Sequence, residues 1–262
     1  MRIPRFVLCC LLIGATVVTF LPGWTREARV GGTFIGAVVA EDGIVIGSDS
    51  RSTFLDERGR PMGYVDGMQK VYVSNTTAVA VSGLTSIEGE LFNSFVDRNS
   101  FLLSRTASEV LPGFSVWLPF QNSTGVLLLS AGFDKAHPQI CARSVSRPQA
   151  CQDTGSITNK PSQSLQTWVS GLHAAPKASV AATALRQAIQ ESSANDLTVG
   201  GAISIVEVRQ AAPPMWLENP PKETGWKTIC DVVRDYRANR TRIVAIAPQQ
   251  ELDRYLTSAC PK

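Results

Sequence analysis

Two apolar, β-rich runs joined by one glycine-containing turn constrain the fold of this chain more than any other segment. The first run is Thr-Phe-Ile-Gly-Ala-Val-Val-Ala from Thr33, and the second is Ile-Val-Ile-Gly-Ser-Asp-Ser-Arg from Ile44. Glu41-Asp42-Gly43 stands between them. β-Branched runs separated by a short turn with Asp-Gly are the pattern of a β-hairpin. The register of this hairpin therefore decides which of its polar side chains can meet.

A two-residue turn at Asp42-Gly43 gives one register. It pairs Glu41 with Ile44, and because directly opposed residues share a face, Asp49 then points to the face opposite Thr33.

A three-residue turn gives the other register. With Gly43 in the left-handed region, Ala40 pairs with Ile44, and Asp49 lies on the same face as Thr33, one diagonal step away. Periodicity does not choose between the two registers, but the position of Gly43 favours this one.

Further elements follow the hairpin. A second hairpin is predicted from Lys70–Ser74 and Thr77–Gly83. Ser86 is predicted to cap a helix that runs through Val96, and residues 101–111 to continue as helix. The remaining strand candidates are 125–133, 139–145 and 202–208, and the strongest helix candidate is 176–190. Strands, then helices, then strands again indicate a layered α/β sandwich, with 211–262 as a C-terminal extension packed on the same domain.

The N-terminus has the layout of an export signal. Residues 6–20 are uncharged and apolar, Arg2 and Arg5 precede them, and Pro22-Gly23 ends the run. A spanning helix needs roughly 20 apolar residues, so a cleaved signal is favoured over a retained anchor. We expect residues 1–24 to be a signal peptide or membrane anchor, 25–32 a propeptide or linker, and the protein to be secreted or periplasmic.

Charge and cysteine content agree with export and argue against nucleic acid. The formal charge of +3 belongs to residues 1–32, which hold four arginines and one glutamate, so no basic field remains in the rest of the chain. Cys9 and Cys10 lie in the leader. The other four cysteines permit three pairings, of which the sequential one, Cys141 with Cys151 and Cys230 with Cys260, is favoured for an oxidising compartment.

Several short motifs resemble the proteasome β subunits. Gly32-Thr33, Asp42-Gly43 and Ser48–Arg51 match the start of that family without a gap. Lys70–Val73 resembles its lysine-containing strand, reached here through a longer loop, and Ser82-Gly83 resembles the small-residue turn that follows.

Two later segments extend the resemblance to about residue 210. Trp168–Gly171 is similar to the family's Gly-Ser-Gly segment, and Asp196–Gly201 to its Asp-x-x-Ser-Gly-Gly. The resemblance implies an α+β fold, the four-layer αββα sandwich of N-terminal nucleophile (Ntn) hydrolases, with two packed antiparallel sheets flanked by helices. It also implies a threonine peptidase and hydrolysis of peptide bonds.

Thr33 is the residue on which that chemistry depends. A threonine hydroxyl is a poor nucleophile, but the α-amino group of an N-terminal threonine, with a pKa near 7.7 to 8.0, can act as its base. Cleavage after Gly32 would expose that amine, and Gly32 has no side chain to obstruct attack on its carbonyl. Signal peptidase is the alternative agent of that cut.

The resemblance assigns roles to five further residues. Lys70 would supply positive charge beside Thr33, and Asp49 would hold its ammonium. Ser170 and Asp196 would order the terminal amine, and the N–H of Gly83 would donate to the oxyanion.

One position departs from the family pattern. Val199 stands where the family has serine, which removes one partner of the terminal amine and leaves Thr198 as a substitute only after a local shift. A proteasome-fold scaffold that has lost catalysis is therefore the main alternative function. A serine hydrolase using Ser50, Ser82 or Ser170 is disfavoured, because no Gly-x-Ser-x-Gly elbow is present and neither histidine falls in a recognisable triad motif.

No cofactor or metal is expected, since His137 and His173 lack ligand spacing with each other or with cysteine. The partners expected are a peptide or protein substrate and, from the resemblance, other copies of the chain in a homo-oligomer or ring. A membrane contact is expected only through an N-terminal anchor.

Overall fold

The computed structural model describes residues 29–83, 86–87, 89–115, 127–144, 146–221 and 224–261. The predicted signal peptide or anchor at 1–24, and with it Cys9 and Cys10, lies outside this part of the chain. Within it, no helix is both long and apolar enough to cross a membrane.

Sixteen strands and six α-helices are present in the described residues. The strands are β1 (Arg29–Gly31), β2 (Ile35–Val39), β3 (Ile44–Asp49), β4 (Ser52–Leu55), β5 (Pro61–Val65), β6 (Val71–Val73), β7 (Thr77–Ser82), β8 (Ser86–Ile87), β9 (Glu90–Leu91), β10 (Leu127–Asp134), β11 (His137–Ser144), β12 (Ala150–Gln152), β13 (Ser156–Thr158), β14 (Ile203–Val208), β15 (Met215–Glu218) and β16 (Val244–Ala245). The helices are α1 (Phe92–Arg98), α2 (Ala107–Phe114), α3 (Gln163–Ser170), α4 (Ala178–Asn195), α5 (Ile229–Arg237) and α6 (Gln249–Ala259), and a 3₁₀ helix spans Ser100–Ser104.

Two five-stranded antiparallel sheets form the body of the molecule. The first has the order β13-β2-β3-β14-β15, and the second has the order β12-β11-β10-β7-β6. Buried apolar residues from both sheets form one cluster between them, including Ile35 and Ile46 from the first and Ala80 and Leu129 from the second. Alternation of side chains along each strand makes this possible, because one face of each sheet supplies the shared core.

The other face of each sheet is covered by helices. Phe34, Val38 and Val45 of the first sheet pack with Leu185 of α4. On the second sheet, α1 and α2 bury aromatic and aliphatic side chains against β7 and β10. The chain is thus an α+β protein, and its mixed sheets and helices agree with that part of the prediction.

A third sheet, with the order β1-β4-β5-β16, joins the long loop after the first hairpin to the C-terminal extension. The extension supplies β16, α5 and α6, and its Val233 and Leu252 are buried with Phe54 and Met62 of the loop. The long loop and the C-terminal extension therefore stabilise each other.

The register of the first hairpin differs from both predictions. Val39 pairs with Ile44, and the N–H of Ala40 donates to the carbonyl of Gly43 at 2.9 Å. The three-residue turn was therefore wrong, and Gly43 does not have a positive φ. A Cβ on Gly43 would lie 2.9 Å from the carbonyl oxygen of Val208, so glycine is needed here for close packing against β14.

Contacts with α4 explain why the turn takes this form. The carboxylate of Asp42 accepts the N–H of Ala178 at 2.7 Å, and the N–H of Glu41 donates to the carbonyl of Pro176 at 2.8 Å. Asp42 thereby satisfies one of the free N–H groups at the start of the helix. These are tertiary contacts, so turn preferences alone did not reveal them.

The predicted helix after Ser86 begins later than expected. Ser86–Ile87 and Glu90–Leu91 form a short hairpin, and α1 starts at Phe92. Gly89 has a φ of +78°, which is incompatible with a continuous helix. Ser86 as a helix cap was therefore wrong. The second hairpin was correct, with Val71 paired to Ala80.

Both sequential disulfides are present. Cys141 and Cys151 face each other on β11 and β12, and Cys230 of α5 is bonded to Cys260 after α6. The predicted pairing is confirmed, and the second bond ties the last helix of the extension to the preceding one.

Candidate active site

Thr33 lies at the junction of β1 and β2 and is 1% exposed. Its hydroxyl donates to the carbonyl oxygen of Gly32, and its own carbonyl accepts the side-chain N–H of Asn159 at 2.8 Å. The nucleophile predicted from the sequence is thus buried, with its hydroxyl at the carbonyl of the bond that would be cut.

The chain before Thr33 is extended and paired. Arg29, Val30 and Gly31 of β1 lie opposite Leu55, Phe54 and Thr53 of β4. Gly32 then takes a φ of +78°, and a Cβ there would lie 2.5 Å from Cβ of Thr198. Only glycine fits this position, because both its backbone conformation and its space exclude a side chain.

Asp49 ends β3 and is completely buried. One carboxylate oxygen accepts the N–H of Phe34 at 2.9 Å and lies 3.3 Å from Nζ of Lys70. The other accepts the N–H groups of Arg51 at 3.1 Å and Gly200 at 2.8 Å. A buried carboxylate is tolerated only with such partners. Asp49 is therefore linked to Thr33 through the N–H of the next residue, Phe34. The side chains of Asp49 and Thr33 do not lie on the same face of the hairpin.

Lys70 is the second buried charge of the site, with 1% of its side chain exposed. Its ammonium pairs with Asp49 and donates to the carbonyl of Arg51. Burial lowers the pKa of Lys70, the negative charge of Asp49 opposes that effect, and the positive charge of Lys160 adds to it. The sequence predicted the pair of Lys70 and Asp49, and the structure brings the two together.

Asp196 follows the C-terminus of α4 and forms a separate polar cluster. Its carboxylate accepts from Nζ of Lys160, from the hydroxyl of Thr198 at 2.7 Å and from the N–H of Thr198 at 2.8 Å. Although burial raises the pKa of Asp196, these hydrogen bonds hold it below its ordinary value. Through Thr198, which packs on Gly32, this cluster adjoins the Gly32–Thr33 bond.

Val199 packs in the hydrophobic core and does not take over the hydrogen-bonding role of a polar residue. Its side chain is completely buried with Phe34 and the helix α4. Thr198, immediately before it, instead faces Gly32. No shift of the chain is needed for Thr198 to meet this site, contrary to the expectation from the motif alone.

Arg51 closes the site on another side. Its guanidinium binds Asp66 through two nitrogens at 2.8 and 3.1 Å and donates to the carbonyl of Leu197 at 3.2 Å. The segment that carries Gly201 crosses the segment that carries Ser50. A Cβ on Gly201 would lie 2.5 Å from Oγ of Ser50, which explains why a glycine stands at this crossing.

Ser170 is not brought to this cluster. It is the exposed last residue of α3, and among the described residues it has no hydrogen bond to Thr33, Asp49 or Lys70. Gly83, at the end of β7, has a φ of +85°, and its carbonyl lies beside Gly31. Gly83 is thus next to the strand that leads to the bond after Gly32.

Sequence reasoning missed Asn159 and Lys160. Asn159 continues the pairing of β13 with β2 through its side chain, which donates to the carbonyl of Thr33 and accepts the N–H of Ile35, both at 2.8 Å. No local motif marks these two residues, since their positions follow from the pairing of Thr158 with Gly36. Among the residues that the structure describes, no group of three histidine, cysteine or acidic side chains could hold a metal ion.

A small cavity beside Lys70 is partly walled by the C-terminal extension. Its lining includes Ser52, Lys70, Tyr72 and Phe92 from the body and Trp226 from the extension. The indole of Trp226 is held by a hydrogen bond to Asp235 at 2.8 Å.

The sheets and helices form an α+β fold, and its similarity to a solved structure shows that this fold is proteasome-like. One solved structure to which the chain is similar is the Anbu (Gly-1) mutant from Hyphomicrobium sp. strain MC1, with a TM-score of 0.53 and 13% sequence identity. The similarity covers 79% of this chain and 97% of that chain. At this identity the likeness concerns the fold alone. No protein-family model and no curated protein matches the sequence.

Proposed function

We propose that the protein is a threonine-type Ntn hydrolase that cleaves peptide bonds through an acyl-enzyme on Thr33 after removal of residues 1–32. The observation that carries this proposal is the buried pair of Lys70 and Asp49, whose carboxylate also binds the N–H of Phe34. A buried ion pair costs desolvation free energy and is weak evidence for stability. Its place next to the backbone of Thr33 fits a catalytic use.

The first step in this proposal is cleavage of the bond between Gly32 and Thr33 by the chain itself. The hydroxyl oxygen of Thr33 attacks the carbonyl carbon of Gly32, the C–N bond breaks, and the hydroxyl proton ends on the nitrogen. Water then hydrolyses the resulting ester, which leaves a carboxylate on Gly32 and a free amine on Thr33. The position of Thr33 directly after Gly32, which has no side chain to obstruct attack on its carbonyl, supports this step.

In the mature protein the free amine takes the hydroxyl proton as Thr33 attacks a peptide carbonyl, and returns it to the leaving amine. Lys70 stabilises the negative charge that develops at this centre, and Asp49 fixes its position. Asp196 and Thr198 order the amine, a role in which Thr198 replaces Ser170. The N–H of Gly83 donates to the oxyanion. Water finally releases the acyl group.

A catalytically impaired scaffold or binding protein is the second candidate. The pairing of β1 with β4 favours it, since this pairing holds the residues before Gly32 in a sheet of the uncleaved chain. If the segment stays in place, Thr33 has no free amine, and the fold serves only as a binding surface.

The wider setting of the enzyme is also part of the proposal. We infer a four-layer αββα sandwich, which the three apolar clusters between and outside the two main sheets support. The two disulfides are compatible with a secreted or periplasmic location behind a signal peptide or anchor. Assembly with other copies into a homo-oligomer or ring is proposed from the proteasome-like fold.

The mature N-terminus tests the enzyme against the scaffold. Intact-mass analysis of the full chain expressed with export is expected to show a protein beginning at Thr33, and a threonine-directed β-lactone is expected to label that residue. Thr33→Ala should abolish both results, whereas Thr33→Ser, which keeps a hydroxyl, should retain slow processing. A stable N-terminus before Gly32 with no labelling would exclude the enzyme and leave the scaffold.

A further inference from the structure

Two lysines flank the Gly32–Thr33 bond, and the proposed mechanism uses only Lys70. The other, Lys160, lies after β13, with its Nζ paired to the carboxylate of Asp196 and 3.1 Å from the hydroxyl of Thr198. A Cβ on Gly32 would lie 3.0 Å from that same hydroxyl, which shows how close the cluster is to the bond.

The backbone fixes Lys160 at this position. Its neighbour Asn159 is hydrogen-bonded by its side chain to both Thr33 and Ile35, and its N–H donates to the carbonyl of Ile35 at 3.2 Å. The lysine is therefore attached to the same strand as the nucleophile. Its side chain is 24% exposed, so its charge is only partly screened by water.

The charged groups of this site form three ion pairs. They are Asp49 at the end of β3 with Lys70 before β6, Arg51 with Asp66, and Lys160 with Asp196. Each carboxylate is matched by one cation. Without Lys160, Asp196 would be an unbalanced negative charge in the cluster that adjoins the Gly32–Thr33 bond through Thr198.

That balance matters because only the neutral amine can act as a base. A bare carboxylate near an amine stabilises the ammonium form, and a cation destabilises it. The unperturbed pKa of an α-amine, about 7.7 to 8.0, already leaves most of it protonated at neutral pH.

We propose that Lys160 is a positioning residue of this site, which orients Asp196 and Thr198 and offsets the charge of Asp196, so that the amine of Thr33 stays neutral and able to accept a proton. This inference rests on the proposed function. It adds a residue that the sequence motif does not contain and a reason why Asp196 can lie beside a catalytic base.

The test compares the pH dependence of kcat/KM for a fluorogenic peptide in three full-length variants, each checked by mass for an N-terminus at Thr33. In Lys160→Met the acid limb should move to higher pH by about one unit, the lower end of the effect of a close charge. Lys160→Arg should keep the wild-type limb. Lys177→Met is the matched control, because it removes a lysine paired to Glu41 at the far end of the first hairpin, and it should also keep that limb.

Native folding is checked by near-UV circular dichroism, and Lys160→Gln replaces the methionine variant if the latter does not fold. Failure of processing in Lys160→Met but not in Lys160→Arg would support the orientation of Asp196 and Thr198 by the charge of Lys160, which is the part of the inference that applies before the amine is free. An unmoved acid limb in an active, processed Lys160→Met protein would overturn this inference and leave the proposed function intact. Failure of both Lys160 variants to process, with native folding, would also overturn it. If the wild-type chain itself lacks a Thr33 terminus and activity, the proposed function fails first.

Discussion

Asp49 and Lys70 form an ion pair, 3.3 Å between Oδ1 and Nζ, in which both side chains are fully buried. The same carboxylate oxygen accepts the N–H of Phe34, so the pair is attached to the strand that carries Thr33. This relationship links the second hairpin to the first across the space between the two main sheets.

Removal of one member of this pair should be costly for both stability and activity. Lys70→Met leaves the buried charge of Asp49 without its cation, and such changes cost about 3 to 5 kcal/mol. Urea unfolding should show that loss, and processing at Thr33 should stop. The double variant Asp49→Asn with Lys70→Met should be less destabilised than the sum of the single variants, because each single variant leaves one unpaired buried charge and the double variant leaves none. Additive losses would contradict the coupling.

Gly32→Ala should block processing by displacing the bond to be cut. The new Cβ would lie 2.5 Å from Cβ of Thr198, on a backbone with a φ of +78°. Gly59→Ala is the matched control, since Gly59 has a φ of +76° but nothing within 4 Å of the added Cβ. Intact-mass analysis should find the Gly59 variant processed and the Gly32 variant unprocessed. Equal processing of both would show that the contact with Thr198 is unimportant.

Asn159→Asp should slow acylation of Thr33 without unfolding the protein. The substitution keeps the acceptor for the N–H of Ile35 but loses the donor to the carbonyl of Thr33. The loss of one such hydrogen bond is worth about 1 kcal/mol, so we expect a rate of β-lactone labelling lower by roughly fivefold or more. Asn195→Asp, which changes an exposed amide that donates to the carbonyl of Glu191 in the same helix, serves as the control. A normal labelling rate would remove Asn159 from the site.

Asp196 should contribute stability that depends on pH. Burial raises its pKa, but the hydrogen bonds from Lys160 and Thr198 outweigh this and hold the folded-state pKa below the ordinary value. The contribution is therefore present above the unfolded pKa, near 3.9, and is lost as pH falls through the folded value. Asp196→Asn should flatten the decline of the free energy of unfolding below pH 4. An unchanged slope would argue that the carboxylate is not stabilised by its neighbours.

The disulfide of Cys230 and Cys260 should stabilise the C-terminal extension. Its two cysteines are 30 residues apart, and a closed loop of this size is expected to contribute about 3.6 kcal/mol through the unfolded state. The double variant Cys230→Ser with Cys260→Ser should lower the urea midpoint accordingly. Because Trp226 of the extension lines the cavity beside Lys70, peptide specificity should change as well. If peptide specificity is unaltered, the C-terminal extension takes no part in substrate binding.

The sequence by itself predicted the candidate nucleophile, its ion pair and the favoured disulfides. Thr33, Asp49 and Lys70 were predicted because the motifs that resemble the proteasome β subunits lie along two adjacent hairpins and are local properties of the chain. The sequential pairing was favoured among the three that four cysteines permit. Alternation of apolar residues also gave most strands and α4, since burial of one face requires it.

Only the tertiary structure decided the register of the first hairpin. It also decided which residues surround the backbone of Thr33. The turn at Glu41–Gly43 is fixed by α4 and β14, which no turn preference encodes. Asn159 and Lys160 reach Thr33 through strand pairing between residues more than a hundred positions apart, and Ser170 does not reach it at all. Contacts of this kind depend on packing across the whole domain, so spacing along the chain could not reveal them.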